Sequence, residues 1–206
     1  MTQHWQRGLL RPVASGVAAA MPGAGVVVKL GGSLLARPAW PAAVQALCAE
    51  LERPTLLVVG GGPVVDGLRT IDAVAALPKA VTHRLAIDAL GLTARTVASA
   101  IGVPLTAHPH DTPGTAVLDT PRWLDDGRLD ALPVGWHVTS DSIAALVALR
   151  LRRPLILAKS VPPPSSTTDL SALAHAGWID PCFPATATAV ARIEWAAPFP
   201  SAEAAR

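Results

Sequence analysis

The chain has no tyrosine, only two cysteines and only three lysines, and each shortage narrows what it can be. Cys48 and Cys182 both stand in apolar settings, which reads as two buried thiols in a reducing compartment rather than a disulfide framework. No Cys/His cluster has the spacing of zinc ligands, so no metal site is assigned. Aromatics make up 4% of the residues and the formal charge is only +2. With no basic block carrying interleaved aromatics, a nucleic-acid partner is not expected. Uncharged apolar runs fall short of the roughly 20 residues a spanning helix needs, so no membrane partner is expected either. What remains is ample core material. Half of the 206 residues are hydrophobic and the mean hydropathy is +0.39. That suits one domain, or two small lobes sharing a sheet.

The N-terminal stretch carries Arg7 and Arg11 ahead of a small-residue run, Val13 to Ala20, and superficially resembles a signal peptide. Its middle is Ala/Gly-rich rather than Leu-rich, so residues 1–24 read as an extended, loosely held segment, with Met21 an alternative start. The cytoplasm is the expected location.

The lysines carry the argument. Fourteen of the 17 basic residues are arginine, yet Lys29 and Lys159 both close short apolar runs. Lys29 follows Val26-Val27-Val28 and leads into Leu30-Gly31-Gly32-Ser33; Lys159 follows Leu155-Ile156-Leu157-Ala158 and leads into Ser160. A mobile ammonium at a strand's carboxyl end is where α/β folds place ligand sites.

Hydrophobic periodicity gives buried strands at Val26–Leu30, Leu56–Val59 and Leu155–Ala158, with short strands at 105–106, 116–118 and 136–139 and an edge strand at 189–195. Helices are read at Trp40–Glu52, Val64–Leu77, Thr82–Ile101, Ser140–Leu151 and Leu170–Ala176, the last capped by Asp169. Trp123-Leu124 begins a turn segment. Alternating strands and helices mean α/β, an open and mostly parallel sheet between helices. Lys29 and Gly60 to Gly62 should then share the carboxyl edge of adjacent central strands.

Glycine lets backbone N–H groups approach phosphate oxygens without a Cβ in the way. Lys-Leu-Gly-Gly-Ser is a weak signal alone, and a tight βα turn explains it as well. Gly60-Gly61-Gly62 ends a second strand and opens a helix, making another anion site beside the first. Asp141, entering a helix, is a cap by default; beside two lysines it can also hold their ammonium groups.

In this order the segments resemble the amino-acid kinase family: strand–Lys-Leu-Gly-Gly-Ser, strand–Gly-Gly-Gly–helix, Thr-Ser-Asp before an Ala-rich helix, and strand–Lys-Ser-Val. The match runs from Val26 to Val161. Within the family, Gly60 to Arg69, His83 to Leu90 and Trp136 to Ala144 are most similar to kinases of methanofuran biosynthesis, which phosphorylate aminomethylfuran-methyl phosphate. The resemblance implies ATP with Mg²⁺, a small phosphorylated acceptor and a homo-oligomer, and within the domain 25–206 an acceptor lobe at 25–133 and a nucleotide lobe at 134–206. It implies Lys29, Asp141 and Lys159 as catalytic residues, and Gly31, Gly32, Ser33, Ser140, Ser142 and Ser160 around the nucleotide phosphates. Gly60, Gly61, Gly62, Asp66, Arg69, His83 and Asp88 would face the acceptor. On residues alone, His83 reads as a surface or core histidine, Asp66 and Arg69 as a local ion pair, and Trp136 and Trp178 as packing.

Two departures stand out. No lysine follows Lys159, so Lys159 supplies the family's second cation or that cation is missing. Pro162-Pro163-Pro164 replaces the usual acidic-glycine turn. The competing readings are a kinase of another monophosphate, such as UMP or isopentenyl phosphate, and a non-catalytic nucleotide- or oxyanion-binding protein of the same fold.

Overall fold

Val26-Val27-Val28 is β-branched throughout, Leu155-Ile156-Leu157 is an apolar run too short for a helix, and both become the middle of a sheet. The computed structural model describes residues 4–11, 25–111, 113–125, 127–164 and 167–198. In chain order its elements are β1 (Trp5–Arg11), β2 (Val26–Leu30), α1 (Trp40–Leu51), β3 (Thr55–Val59), α2 (Gly62–Ala75), α3 (Lys79–Ile101), β4 (Leu105–Thr106), β5 (Ala116–Leu118), α4 (Thr120–Leu124), α5 (Ser140–Leu151), β6 (Leu155–Ala158), α6 (Leu170–His175), α7 (Phe183–Thr186) and β7 (Ile193–Pro198). A 3₁₀ turn, Gly32–Ala36, follows β2.

The seven strands form one sheet in the order β1-β7-β6-β2-β3-β5-β4. Every pair is parallel except β1 with β7. Side chains alternate across it. Val27, Leu56, Val58, Leu155 and Leu157 join α5, α6 and α7 on one face, while Val28, Leu57, Val59 and Ile156 join α1 on the other. Helix α3 serves both layers, through Ile87 and Leu90 and then through Ala94 and Val97. The result is the expected α/β fold, an open and mostly parallel sheet between two helical layers. From β2 the chain moves one way to β3 and later the other way to β6, so the order reverses between β2 and β6. Crevices at such a switch point are where open sheets bind ligands.

Four expectations are corrected. Residues 5–11 are not loosely held: they pair along β7, and the buried Trp5 indole donates to the Ala43 carbonyl at 2.9 Å. The rest of that segment, 12–24, lies outside the described residues. The last strand starts at Ile193 rather than 189 and is not an edge, because β1 covers it. Residues 136–139 form no strand, since the Thr139 N–H is taken by the Asp180 carboxylate at 3.0 Å instead of a ladder. Trp123 and Leu124 close the short helix α4 rather than beginning a turn. Among the described residues no helix is long and apolar enough to cross a membrane, and both cysteines are free thiols.

Candidate active site

Lys29 points from β2 toward α5, on the same side as Val27, and is 5% exposed. Helix α5 begins under it because Thr139 caps the first turn, accepting from the Asp141 N–H at 3.3 Å. Nine consecutive residues of α5, Ser140 to Ala148, are buried, so the helix is fixed against the sheet and Asp141 with it. Lys29 Nζ lies 2.9 Å from Asp141 Oδ1, and Lys159 Nζ donates to Asp141 Oδ2, also at 2.9 Å. One carboxylate therefore spans two ammonium groups at the carboxyl ends of β2 and β6. Lys159 also donates to the Trp178 carbonyl and sits 4.9 Å from the centroid of that indole.

The electrostatics follow from burial and pairing. Burial by itself would raise the Asp141 carboxyl, but Lys29 and then Lys159 outweigh it and hold the group below its ordinary value. Burial, followed by repulsion from Lys29, lowers the Lys159 ammonium to about 8, against the opposing pull of Asp141 and Asp180. Two cations sharing one carboxylate leave a site suited to an incoming oxyanion.

The glycines interlock. A Cβ on Gly32 would lie 2.1 Å from the Gly62 nitrogen, and one on Gly62, whose φ is +50°, would lie 2.5 Å from the Gly32 carbonyl oxygen. Gly60 is equally confined, 2.7 Å from the Gly32 nitrogen and 3.0 Å from Ser140 Oγ. Packing thus gives these glycines a steric reason of their own, and it brings the two turns into contact as one surface. Ser33 and Ser160 join them to the end of β6 through a 2.9 Å hydroxyl–hydroxyl hydrogen bond.

Beside this surface lies a cavity of about 280 Å³, near the lower end for small-ligand pockets. Gly32, Ser33, Gly61, Gly62, Thr139 and Ser140 form its polar side, and Val65, Ala86, Ile87, Leu90, Val138 and Ile143 its apolar side. Asp66, Arg69, His83 and Trp136 complete the lining. Arg69 pairs with Asp66 at 3.1 Å and stacks over Trp136 at 5.1 Å, while the Trp136 indole donates to Asp72 at 2.8 Å. His83 is buried, accepts from the Gly135 N–H at 3.3 Å through Nδ1, and leaves Nε2 without a partner among the described residues. Burial is the main cause that lowers its pKa, with His137 adding to it and the Gly135 hydrogen bond opposing.

Asp88 and Gly60, expected at the acceptor, do not line the cavity, and Ser142, expected at a phosphate, is closed off from it; the Gly60 N–H is taken by the Leu30 carbonyl at 2.8 Å. Asp88 turns outward and pairs with Arg84 at 3.1 Å, both about half exposed. Ser142 is fully buried, its hydroxyl donating to Asp180 Oδ1 at 2.5 Å, so it offers nothing to a phosphate. Asp180 and Trp178 are the residues sequence reasoning missed. Asp180 before Pro181 signals a local turn, and the Cys182 and Phe183 N–H groups that donate to its carboxylate fit that reading. Its bonds across 38 and 41 residues to Ser142 and Thr139 have no local signature.

No family model and no curated protein sequence matches the chain. Among solved structures, it superposes on uridylate kinase from Archaeoglobus fulgidus with a TM-score of 0.58 at 18% identity, over 88% of this chain and 93% of that one. The UMP kinase from Ureaplasma parvum gives a TM-score of 0.49 at 13% identity, over 71% and 70%. The first likeness establishes a shared fold.

Proposed function

We propose that the chain is an ATP-dependent phosphotransferase that adds a phosphoryl group to a small phosphorylated acceptor. The observation that carries this reading is the Lys29–Asp141–Lys159 arrangement at the switch point of the sheet, next to a cavity walled by two glycine turns. Transfer between two bound phosphates asks mainly for positioning and charge neutralisation. An oxygen of the acceptor phosphate attacks the γ-phosphorus, the bond to the β-phosphate oxygen breaks, and ADP leaves. The acceptor oxygen is already ionised, so no protein base is required.

In this scheme Lys29 follows the moving phosphoryl group, Asp141 orients both lysines, and Lys159 supplies the second cation. Gly31 to Ser33, Ser140 and Ser160 face the nucleotide phosphates, while Gly61, Gly62, Asp66, Arg69 and His83 face the acceptor. Ser142, Asp88 and Gly60 drop out of these sets for the reasons given above. Both Asp141 oxygens are held by lysines, and no group of three or more His, Cys, Asp or Glu able to hold a metal occurs among the described residues. Mg²⁺ therefore fits here as a companion of the nucleotide phosphates, whose charge it neutralises when bound.

For the acceptor we favour aminomethylfuran-methyl phosphate, converted to its diphosphate. Apolar walls suit a small ring, Asp66 offers a carboxylate to an amine, and the sequence resemblance points the same way. The fold shared with a uridylate kinase keeps UMP as the comparison. The test is ADP release by the purified protein with aminomethylfuran-methyl phosphate, UMP and isopentenyl phosphate in parallel. We expect the furan substrate to give the highest kcat/KM. UMP turning over best would replace the acceptor and keep the kinase; ADP release with none of them would leave only an oxyanion-binding protein.

A further inference from the structure

We propose that Asp180 is a positioning residue for Lys159, clamping together the two segments that hold its ammonium group. The proposal rests on the kinase reading for its consequence in turnover, but its geometry does not. Asp180 is 5% exposed and accepts six hydrogen bonds. Its Oδ2 takes the Thr139 N–H at 3.0 Å, the Thr139 hydroxyl at 2.8 Å and the Ser142 N–H at 3.0 Å. Its Oδ1 takes the Ser142 hydroxyl at 2.5 Å, the Cys182 N–H at 3.0 Å and the Phe183 N–H at 2.9 Å.

Capping a helix start asks for one or two such bonds. The remainder join the start of α5 to the segment between α6 and α7. The first of these carries Asp141, and the second carries Trp178. Those two residues are the partners of Lys159: Asp141 Oδ2, the Trp178 carbonyl and the Trp178 ring. Asp180 thus sets the distance between the jaws without touching the ammonium. An ammonium has three N–H donors; with two committed to the jaws, one is left for a ligand oxygen in a fixed direction. A chain without a later lysine has to hold this one firmly, since a cation displaced by even 1 Å loses much of its effect on transfer. The charged groups facing Lys159 are Lys29 from β2, Asp141 from α5 and Asp180 itself.

The test uses the small number of lysines. With ¹⁵N-lysine labelling the full chain gives three Nζ signals, and exposed Lys79 is the internal reference. Lys159 should titrate at about 8 in the wild type. In Asp180→Asn we expect the jaws to part and the Lys159 midpoint to rise by about one pH unit toward an ordinary lysine, with Lys79 unmoved. We expect kcat to fall about 10-fold, with KM for the acceptor changed less than about threefold. A midpoint that stays put, or only falls through loss of the nearby negative charge, overturns the proposal. If Asp180→Asn does not fold, Ser142→Ala removes one of the six bonds and keeps the charge; it should raise the midpoint by a smaller amount, and an unmoved midpoint there also overturns the proposal. The titration needs no substrate. A shifted midpoint in a protein whose wild type turns over nothing would sink the kinase reading and leave the positioning role standing.

Discussion

Lys29 and Lys159 share one carboxylate but differ in what their loss should do. Lys29→Ala leaves Asp141 paired with Lys159, so the variant should fold, while transfer falls by a factor on the order of 10² as a preorganised charge disappears. Nucleotide affinity should fall less than turnover, because the charge matters most while the phosphoryl group moves. Steady-state kinetics beside a nucleotide titration checks this, and unchanged kcat in a folded variant would make Lys29 structural. Lys159 brings a pH dependence of two opposite signs. Its folded pKa, about 8, lies below the ordinary 10.5, so above pH 8 the unfolded chain binds more protons and stability rises with pH. Over the same interval the folded protein loses the ammonium, so turnover should fall. Between pH 8 and 9 we expect stability to gain on the order of 1 kcal/mol while kcat declines. Beyond pH 9 the Cys48 thiol, pushed by burial up to about 11, works against the gain, because the unfolded thiol ionises first. Denaturant melts and rates measured across this window check the divergence; parallel changes would remove Lys159 from the site.

At the scale of elements, the two glycine turns act as one part. With Gly32 and Gly62 backbones in contact, Gly32→Ala has to separate β2's turn from the start of α2, at a cost of about 1–3 kcal/mol and with loss of the cavity's polar wall. Gly67 is the control on the same helix. A Cβ there meets nothing within 4 Å, so Gly67→Ala should stabilise α2 by about 0.5–1 kcal/mol and leave turnover alone. Thermal melts and activity on the pair decide the point; equal effects would mean the turns do not interlock. The same scale explains why α5 was legible in advance. Thr-Ser-Asp ahead of an Ala-rich run carries both the cap and the burial pattern. Asp180, four of whose six hydrogen bonds reach back 38 or 41 residues, does not.

For the whole molecule, the least anticipated element is β1. It pairs antiparallel along β7, and Gly8 leaves room for the Trp195 indole, which would lie 2.3 Å from a Cβ at that position. Starting the chain at Met21 would remove this strand and bare the β7 edge. We expect a lower Tm and concentration-dependent association, as an uncovered strand edge invites pairing with another chain. Trp5→Ala, which keeps the strand, should cost about 3 kcal/mol through the lost indole packing and its bond to Ala43. Melting curves with light scattering separate the two. A truncated chain as stable as the full one would make β1 an ornament.

The sequence by itself determined the α/β class, the strands β2, β3 and β6, the helices α1, α3 and α5, and the set Lys29, Asp141, Lys159. Each is written in local terms: apolar runs too short for helices, caps and stops, and a lysine placed where such a run ends. Only the tertiary structure decided how far apart those charges stand, that Gly32 and Gly62 touch, that Asp88 faces outward and Ser142 inward, and that Asp180 ties α5 to the loop beneath Lys159. It also decided the place of β1, whose seven residues have no reason to be a strand until β7 offers its edge. Local chemistry is encoded by neighbours in the chain. The contacts that aim it join residues from 18 to 127 positions apart, and only the closed fold brings those together.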